Sequence, residues 1–447
     1  MLQRTLPMWT ILILATAFIQ AGFAASPRVA ILSGPDGWKA EAPREEIAPQ
    51  FRVEQHKDGG YELIMASQGT PATSGWWTKD FDVASGTWYH FQVKYQAKKV
   101  TLPRRSVLAR LMRYDKNGKM IGLPEYPSTQ MGVSADGWHV IADKYDMPEK
   151  CTRVRIELLL RWTTSGTVHW RDVTLTQTKP LKPRMVRVAA VYDRPRKRTQ
   201  GPEENLDFFA GVINKAAEHK PDIICLGEGI TVVGTNKGYA EVAEPIPGPS
   251  TKRLGTLSKQ HNCYIVAGLY ERDGEKAYNT SVLMGPDGEL VGKYRKTCLP
   301  RAEIEGGIMP GDEYPVFDTR FGRIGMMVCW DLVFPEVAGR LANRGAEMIF
   351  APIWGGMDTL ARARAVENQI YLVTSTYNSG PAIRVPTVIY DRTGEPIAVA
   401  TKEQRIIVAD IDLNQRTTIP TFGGLGDFRT RIPRERPRSE TELLTVD

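Results

Sequence analysis

At 447 residues the chain is longer than one usual domain. Fifty-eight Lys and Arg against 51 Asp and Glu leave a net charge of +7, too modest over this length to imply a nucleic-acid partner. Five cysteines do not make a disulfide scaffold, and their odd number leaves at least one thiol outside any bridge within the chain.

Residues 1–24 carry Arg4, the apolar stretch WTILILATAFIQAGF and a small-x-small sequence, Gly22-Phe23-Ala24, which is the pattern of a secretory signal peptide. The apolar stretch falls short of the roughly 20 residues that span a bilayer. Cleavage and export to a periplasmic or extracellular compartment are therefore expected, without stable membrane insertion. Over residues 28–177 the segments TWYHFQVKYQA, SVLARLMRYD, WHVIADKYDM, TRVRIELLLRW and TVHWRDVTLTQ alternate apolar and polar residues, with the turns DKNGK and TTSG between them. That period predicts an antiparallel β-sandwich. Of its tryptophans (Trp76, Trp77, Trp88, Trp138, Trp162, Trp170), most are expected in core or rim. Trp76 and Trp77 are the exceptions: neighbours on one strand point to opposite faces, so one of the two rings is expected in solvent. A linker, TKPLKPRM, covers 178–185. VRVAAVY then opens an alternation of strand and helix, with a helix from about residue 203 to 218 and a return to strand in DIICLG, which predicts an α/β domain over 186–413. Residues 414–447 form a basic tail rich in Gly, Pro and Thr, read as solvated.

Within the α/β part, GRIGMMVCWDLVFPE at 322–336 delivers a lone thiol, Cys329, to the end of an apolar strand. In an α/β sheet that is where a nucleophile is placed. Histidine, the usual base for a thiol, is not at hand, because all six histidines precede residue 262. Two other strands each end in a reactive group instead. PDIICLGEGI carries Glu228 after the run Ile223 to Leu226, and GELVGKYRKTCLP carries Lys296 after a strand from Glu289 to Tyr294. A base, a cation and a thiol are what a nucleophilic site needs.

The order Glu228, Lys296, Cys329, set in Asp-Ile-Ile…Glu, Lys-Tyr-Arg-Lys and Gly-x-x-x-Cys-x-Asp-x-x-Phe-Pro-Glu, resembles the nitrilase superfamily of carbon-nitrogen hydrolases. The resemblance extends over AYNTSVLMGPDGELVGKYRK, the Pro310-Gly311-Asp312 turn, RARAVENQIYLV, and a closing strand pair in VIYDRTGEPIAVA and IIVADIDL. It implies a four-layer α-β-β-α sandwich hydrolase domain and a homo-oligomer. It also implies Glu228 as general base, Cys329 as the nucleophile that forms a thioester, and Lys296 with the Trp330 backbone N–H at the oxyanion. Neither metal nor organic cofactor is implied. A second glutamate is expected between lysine and cysteine. PRAEIEGGIMPGD offers Glu303 and Glu305, and the glycines that follow Glu305 favour it. Cys298 stands where many relatives have histidine and is read as an inert small residue. Trp354 and Gly355, with Gly356, stand where the family lines its pocket, RARAVEN is expected to begin a helix, and Arg364 with Glu367 is read as a structural ion pair. Asp331 and Phe334-Pro335-Glu336 favour a non-peptide amide or N-carbamoyl bond of a small molecule over a nitrile. Acyl transfer or nitrile hydrolysis by the same thioester chemistry is one alternative, and a non-catalytic glycan-binding protein is another. The preceding all-β domain, jelly-roll-like in its strand order, resembles galactose-binding accessory modules, which implies a carbohydrate partner.

Overall fold

The computed structural model describes residues 28–55, 60–127, 129–133, 137–377, 384–419 and 423–424. The segment read as a signal peptide and most of the 414–447 tail lie outside them. The chain divides into two compact units, one up to Pro180 and the other from Leu181. Among the described residues no helix is long and apolar enough to cross a membrane.

The first unit holds two six-stranded antiparallel sheets. One runs Val29–Ser33, Lys39–Ala42, Ser74–Asp82, Arg153–Arg161, Val107–Tyr114, Met120–Glu125, and the other Gln50–Gln55, Tyr61–Ala66, Thr167–Thr178, Trp88–Lys98, His139–Asp146, Thr129–Val133. Alternation sends Trp77, Ala109, Leu111, Ile156, Leu158 and Leu160 from the first sheet, and Leu63, Phe91, Val93, Val168 and Trp170 from the second, into one shared core. The expectation for Trp76 and Trp77 fails. They do point to opposite faces, yet both are buried, because a satellite cluster with Leu108 and Leu159 forms around Trp76 on the outer face. Trp162 is the exposed ring of the unit.

The second unit contains two larger mixed sheets. The first is ordered Leu290–Arg295, Lys276–Met284, Tyr264–Asp273, Ile223–Cys225, Met185–Val191, Ile406–Asp412. Its central pairings, Met185–Val191 with Ile223–Cys225 and Ile223–Cys225 with Tyr264–Asp273, are parallel. The second is ordered Val316–Asp318, Arg323–Met326, Met348–Ile353, Tyr371–Thr376, Val388–Tyr390, Pro396–Val399, parallel through its middle three strands. Parallel strands are buried on both faces, and the residues alternate accordingly. Val186, Val188 and Ala190 pack in one core with Ile324, Met326 and Ile349 of the other sheet. Ala189 and Val191 face Phe209, Ile213, Leu254 and Leu257 of helices Pro202–Ala217 and Pro249–His261. Helices Pro335–Asn343 and Asp358–Asn368 contribute Val337, Leu341, Ala361 and Ala365 to the core of the second sheet.

Two expectations are corrected here. VIYDRTGEPIAVA and IIVADIDL are not a strand pair. The first is a hairpin of the second sheet, whereas Ile406–Asp412 crosses to pair with Met185–Val191 in the first. RARAVEN ends its helix rather than beginning it, since the helix starts at Asp358, whose carboxylate accepts from Arg362 one turn on at 2.8 Å.

Candidate active site

Three strands converge on one buried cluster of charge. Ile223–Cys225 ends three residues before Glu228, and the close turn there depends on small neighbours. A Cβ on Gly268 would lie 2.7 Å from the Glu228 Cα, and one on Gly227 would meet the Tyr377 ring at 2.6 Å. The Tyr377 hydroxyl donates to the Glu228 carbonyl at 2.8 Å, fixing the loop from the opposite sheet. Strand Leu290–Arg295 leads directly into Lys296. Strand Arg323–Met326 leads to Cys329, the first residue of a 3-10 turn, Cys329–Val333. The thiol-bearing residue itself takes φ +44°, a left-handed conformation that non-glycine residues seldom adopt and that cluster at functional sites.

The Lys296 side chain is fully buried and held by two carboxylates: its Nζ donates to Glu228 Oε1 at 3.0 Å and to Glu303 Oε1 at 2.8 Å. Asn279 Nδ2 bridges the same two oxygens at 2.7 and 2.9 Å. The other oxygen of Glu228, Oε2, accepts the Trp354 backbone N–H at 2.7 Å. One residue on, the Gly355 carbonyl accepts the Cys329 thiol at 3.0 Å. The thiol and the Glu228 carboxylate are thus anchored to adjacent residues of one turn.

The electrostatics follow from burial. Burial alone would depress the Lys296 ammonium, but the charges of Glu228, Cys329 and Glu303 outweigh it and its pKa is raised, so the lysine stays a cation. The Cys329 thiol is pushed well above the ordinary range, first by burial and then by Glu228, against a smaller opposing pull from Lys296. At rest it carries its proton. Glu303 is also raised, by burial first, while Lys296 opposes the shift.

Asp331, two residues after the thiol, is fully buried and ties the cysteine turn to the lysine segment. Its Oδ2 accepts from Val328 N and Tyr294 Oη, each at 2.8 Å, and its Oδ1 from Cys298 N at 2.9 Å. Arg364 secures the far end of that turn, donating to the Leu332 and Val333 carbonyls at 3.0 and 3.2 Å while pairing with Glu367 at 2.6 Å. Trp330 and Trp354 are 41% and 38% exposed, so both rings are open to solvent. Stacked Tyr239 and Tyr270, with centroids 4.8 Å apart, lie within electrostatic reach of the carboxylates. Their phenols are raised chiefly by burial and then by Glu303 and Glu228.

The structure therefore gathers Glu228, Lys296, Cys329, Trp354 and Gly355 as the sequence suggested, and corrects the second glutamate. Glu303 is the buried one. Glu305 turns to solvent at the end of the short helix Arg301–Glu305, where Arg301 binds it at 2.7 Å, one turn away. The Cys298 thiol is raised to about 11, first by burial and then by Asp331. All five cysteines are free. Asn279, Asp331 and Tyr377 carry structural weight that the motifs did not disclose. Asp331 stood in the cysteine motif without its partners being readable, and Asn279 lies beside Thr280 and Ser281 in strand Lys276–Met284, where nothing local singles it out.

A buried carboxylate, lysine and thiol thus meet past the strand ends of a two-sheet α/β unit. Residues 187–421 match the family model for carbon-nitrogen hydrolases, over half of the sequence, and the chain belongs to that family. It is 34% identical over 264 residues to the omega-amidase NIT2-B of Xenopus laevis, an alignment covering 55% of this chain and 92% of that protein. It is 34% identical over 243 residues to the omega-amidase NIT2 of Homo sapiens, covering 49% and 88%. Among solved structures, Saccharomyces cerevisiae Nit3, a member of branch 10 of the nitrilase superfamily, is 25% identical, with a TM-score of 0.47, over 58% of this chain and 98% of that one. The protein is a hydrolase of carbon–nitrogen bonds other than peptide bonds.

Proposed function

We propose that the protein is an exported amidase that hydrolyses a small non-peptide amide or N-carbamoyl compound through a thioester on Cys329. The observation that carries this reading is the Lys296 ammonium held between Glu228 and Glu303, with the second Glu228 oxygen anchored one peptide unit from the acceptor of the Cys329 thiol. The relatives named omega-amidases support an amide as the substrate class.

Burial and Glu228 hold the thiol above its ordinary range, so attack is coupled to removal of its proton. Sγ bonds to the substrate carbonyl carbon while its proton passes to Glu228, and the carbonyl oxygen takes the negative charge. Lys296, a permanent cation, stabilises that oxyanion together with the Trp330 backbone N–H. Glu228 returns the proton to the departing nitrogen, the C–N bond breaks and the thioester remains. A water then gives a proton to Glu228 and attacks the same carbon. Collapse expels Sγ, which recovers the proton, and the carboxylic acid leaves. Glu303 and Asn279 hold Lys296 and Glu228 in register through all four proton movements.

The reading extends to the rest of the chain. Residues 1–24 direct export, and the unit up to Pro180 is a galactose-binding-like, jelly-roll module that takes a carbohydrate. The hydrolase unit is a four-layer α-β-β-α sandwich that pairs with a second copy. Helices in both apolar cores of that unit support the layering.

Intact-mass spectrometry after mixing with primary ω-amides and N-carbamoyl amino acids tests the mechanism. A transient acyl adduct absent from the Cys329→Ala protein is expected. Turnover that survives in Cys329→Ala would end this reading.

A further inference from the structure

The outer face of the first sheet in the N-terminal unit is built unlike an ordinary solvated face. Strand pairing sets Ser74 opposite Arg161, Trp76 opposite Leu159 and Arg110 opposite Glu157, all on the side away from the core residues Trp77, Leu158 and Leu160. Such a face of an antiparallel sheet normally meets water. Here it contains a cavity of about 270 Å³, lined by Arg28, Pro43, Ser74, Trp76, Arg110, Leu159 and Arg161.

The lining holds three guanidinium groups, a hydroxyl and an indole, and no carboxylate. The acids lie behind the arginines and fix them. Glu157, with no exposed side-chain surface, accepts Arg28 Nη1 at 2.6 Å on one oxygen and Arg110 Nε at 2.6 Å on the other. Glu41 accepts Arg28 Nη1 at 3.3 Å and the Trp76 indole N–H at 3.2 Å. The Trp76 ring carries both guanidinium groups, at 5.4 and 5.6 Å from its centroid. Each arginine is thereby oriented at no conformational cost to a later ligand. Arg161, stacked on exposed Trp162 at 4.4 Å, completes the wall. Pre-oriented guanidinium forks match the two oxygens of a carboxylate or sulfate, and Pro43 with Leu159 offers apolar surface to a ring.

We propose that this cavity is an oxyanion-binding subsite, one that takes the carboxylate or sulfate substituent of a sugar-sized ligand. It deepens, and in its sugar component rests on, the carbohydrate reading of this unit. Neutral sugars lack the group that the arginines address. Attraction to an anion also makes binding weaken as salt rises.

The test is titration of the full chain by calorimetry and tryptophan fluorescence with galacturonate, galactose 6-sulfate, galactose and sulfate ion. Expected are saturable binding of one or both acidic sugars, at least tenfold weaker binding of galactose, loss of affinity on raising salt, and at least tenfold weaker binding in Arg161→Gln. Arg161 is the variant of choice because Arg28 and Arg110 neutralise buried Glu157. Amide turnover and melting temperature of the variant should match the parent. Salt dependence in the parent protein tests the same point without any substitution. Equal affinity for galactose and galacturonate would overturn the anion subsite and leave the carbohydrate reading standing. Saturable sulfate binding with none of the sugars bound would keep the anion site and overturn the carbohydrate reading. Binding of no probe would overturn both.

Discussion

Each unit builds a charge cluster around one fully buried group, and the two central groups are of opposite sign. In the hydrolase unit one ammonium, Lys296, sits between two carboxyl groups, Glu228 and Glu303. In the β-unit one carboxylate, Glu157, sits between two guanidinium groups, Arg28 and Arg110. Burying ions is costly, and an apolar replacement of similar volume is often as stable. Neither cluster is explained by stability alone, then, and the sign of the groups turned toward the open space is informative. On the proposed readings, carboxyl groups beside a thiol move protons, while guanidinium groups lining a cavity hold an anion.

The comparison can be broken at its strongest point first. Cys329→Ala should remove all measurable amide turnover with the melting transition retained, since no other thiol stands near the carboxylates. Lys296→Met should lower kcat by about 10² to 10³, the scale of one lost oxyanion donor. It should also destabilise the fold by about 3–5 kcal/mol, because two buried carboxyls lose their cation. Arg110→Met should bring a loss of similar size in chemical denaturation while kcat stays at the parent value. A fall in kcat there would show that the clusters are not independent. Glu303→Gln should lower kcat by up to about 10²-fold through misplacement of Lys296, whereas Glu305→Gln should leave steady-state kinetics unchanged. The smallest effect concerns pH. An ordinary thiol ionises near about 8.5, but burial and Glu228 hold Cys329 well above that. The kcat/KM profile should therefore stay flat through pH 8–9, and a rise there would mean that a free thiolate carries the reaction.

The proposed trio was legible because Lys296 directly follows one strand, while Glu228 and Cys329 each lie three residues past the end of a parallel strand, where such sheets place their reactive groups. The second glutamate was not. Glu303 and Glu305 are two residues apart on a one-turn helix, so they face opposite sides, and only the fold shows which side is inward. The glycines after Glu305 gave the wrong cue, since Arg301, one turn earlier, had already claimed its carboxylate. Asn279 and Asp331 were hidden for a different reason. Their roles are hydrogen bonds to groups 24 to 51 residues distant, and no local pattern encodes these. The β-unit was legible as a sandwich from its period of two. The burial of Trp76 was not, because Leu108, Leu159, Arg28 and Arg110, which surround it, lie far from it in sequence.

The protonated state of the Cys329 thiol has a consequence for the lifetime of the enzyme. Peroxides and disulfides react with thiolate and hardly with thiol, so a thiol raised by burial and Glu228 is shielded from oxidants. Cys225, raised well above the ordinary range by complete burial, and Cys263, raised to about 11, are protected in the same way. Outside the reducing interior of a cell, burial would keep Cys225, Cys263 and Cys329 free without a reductant to maintain them.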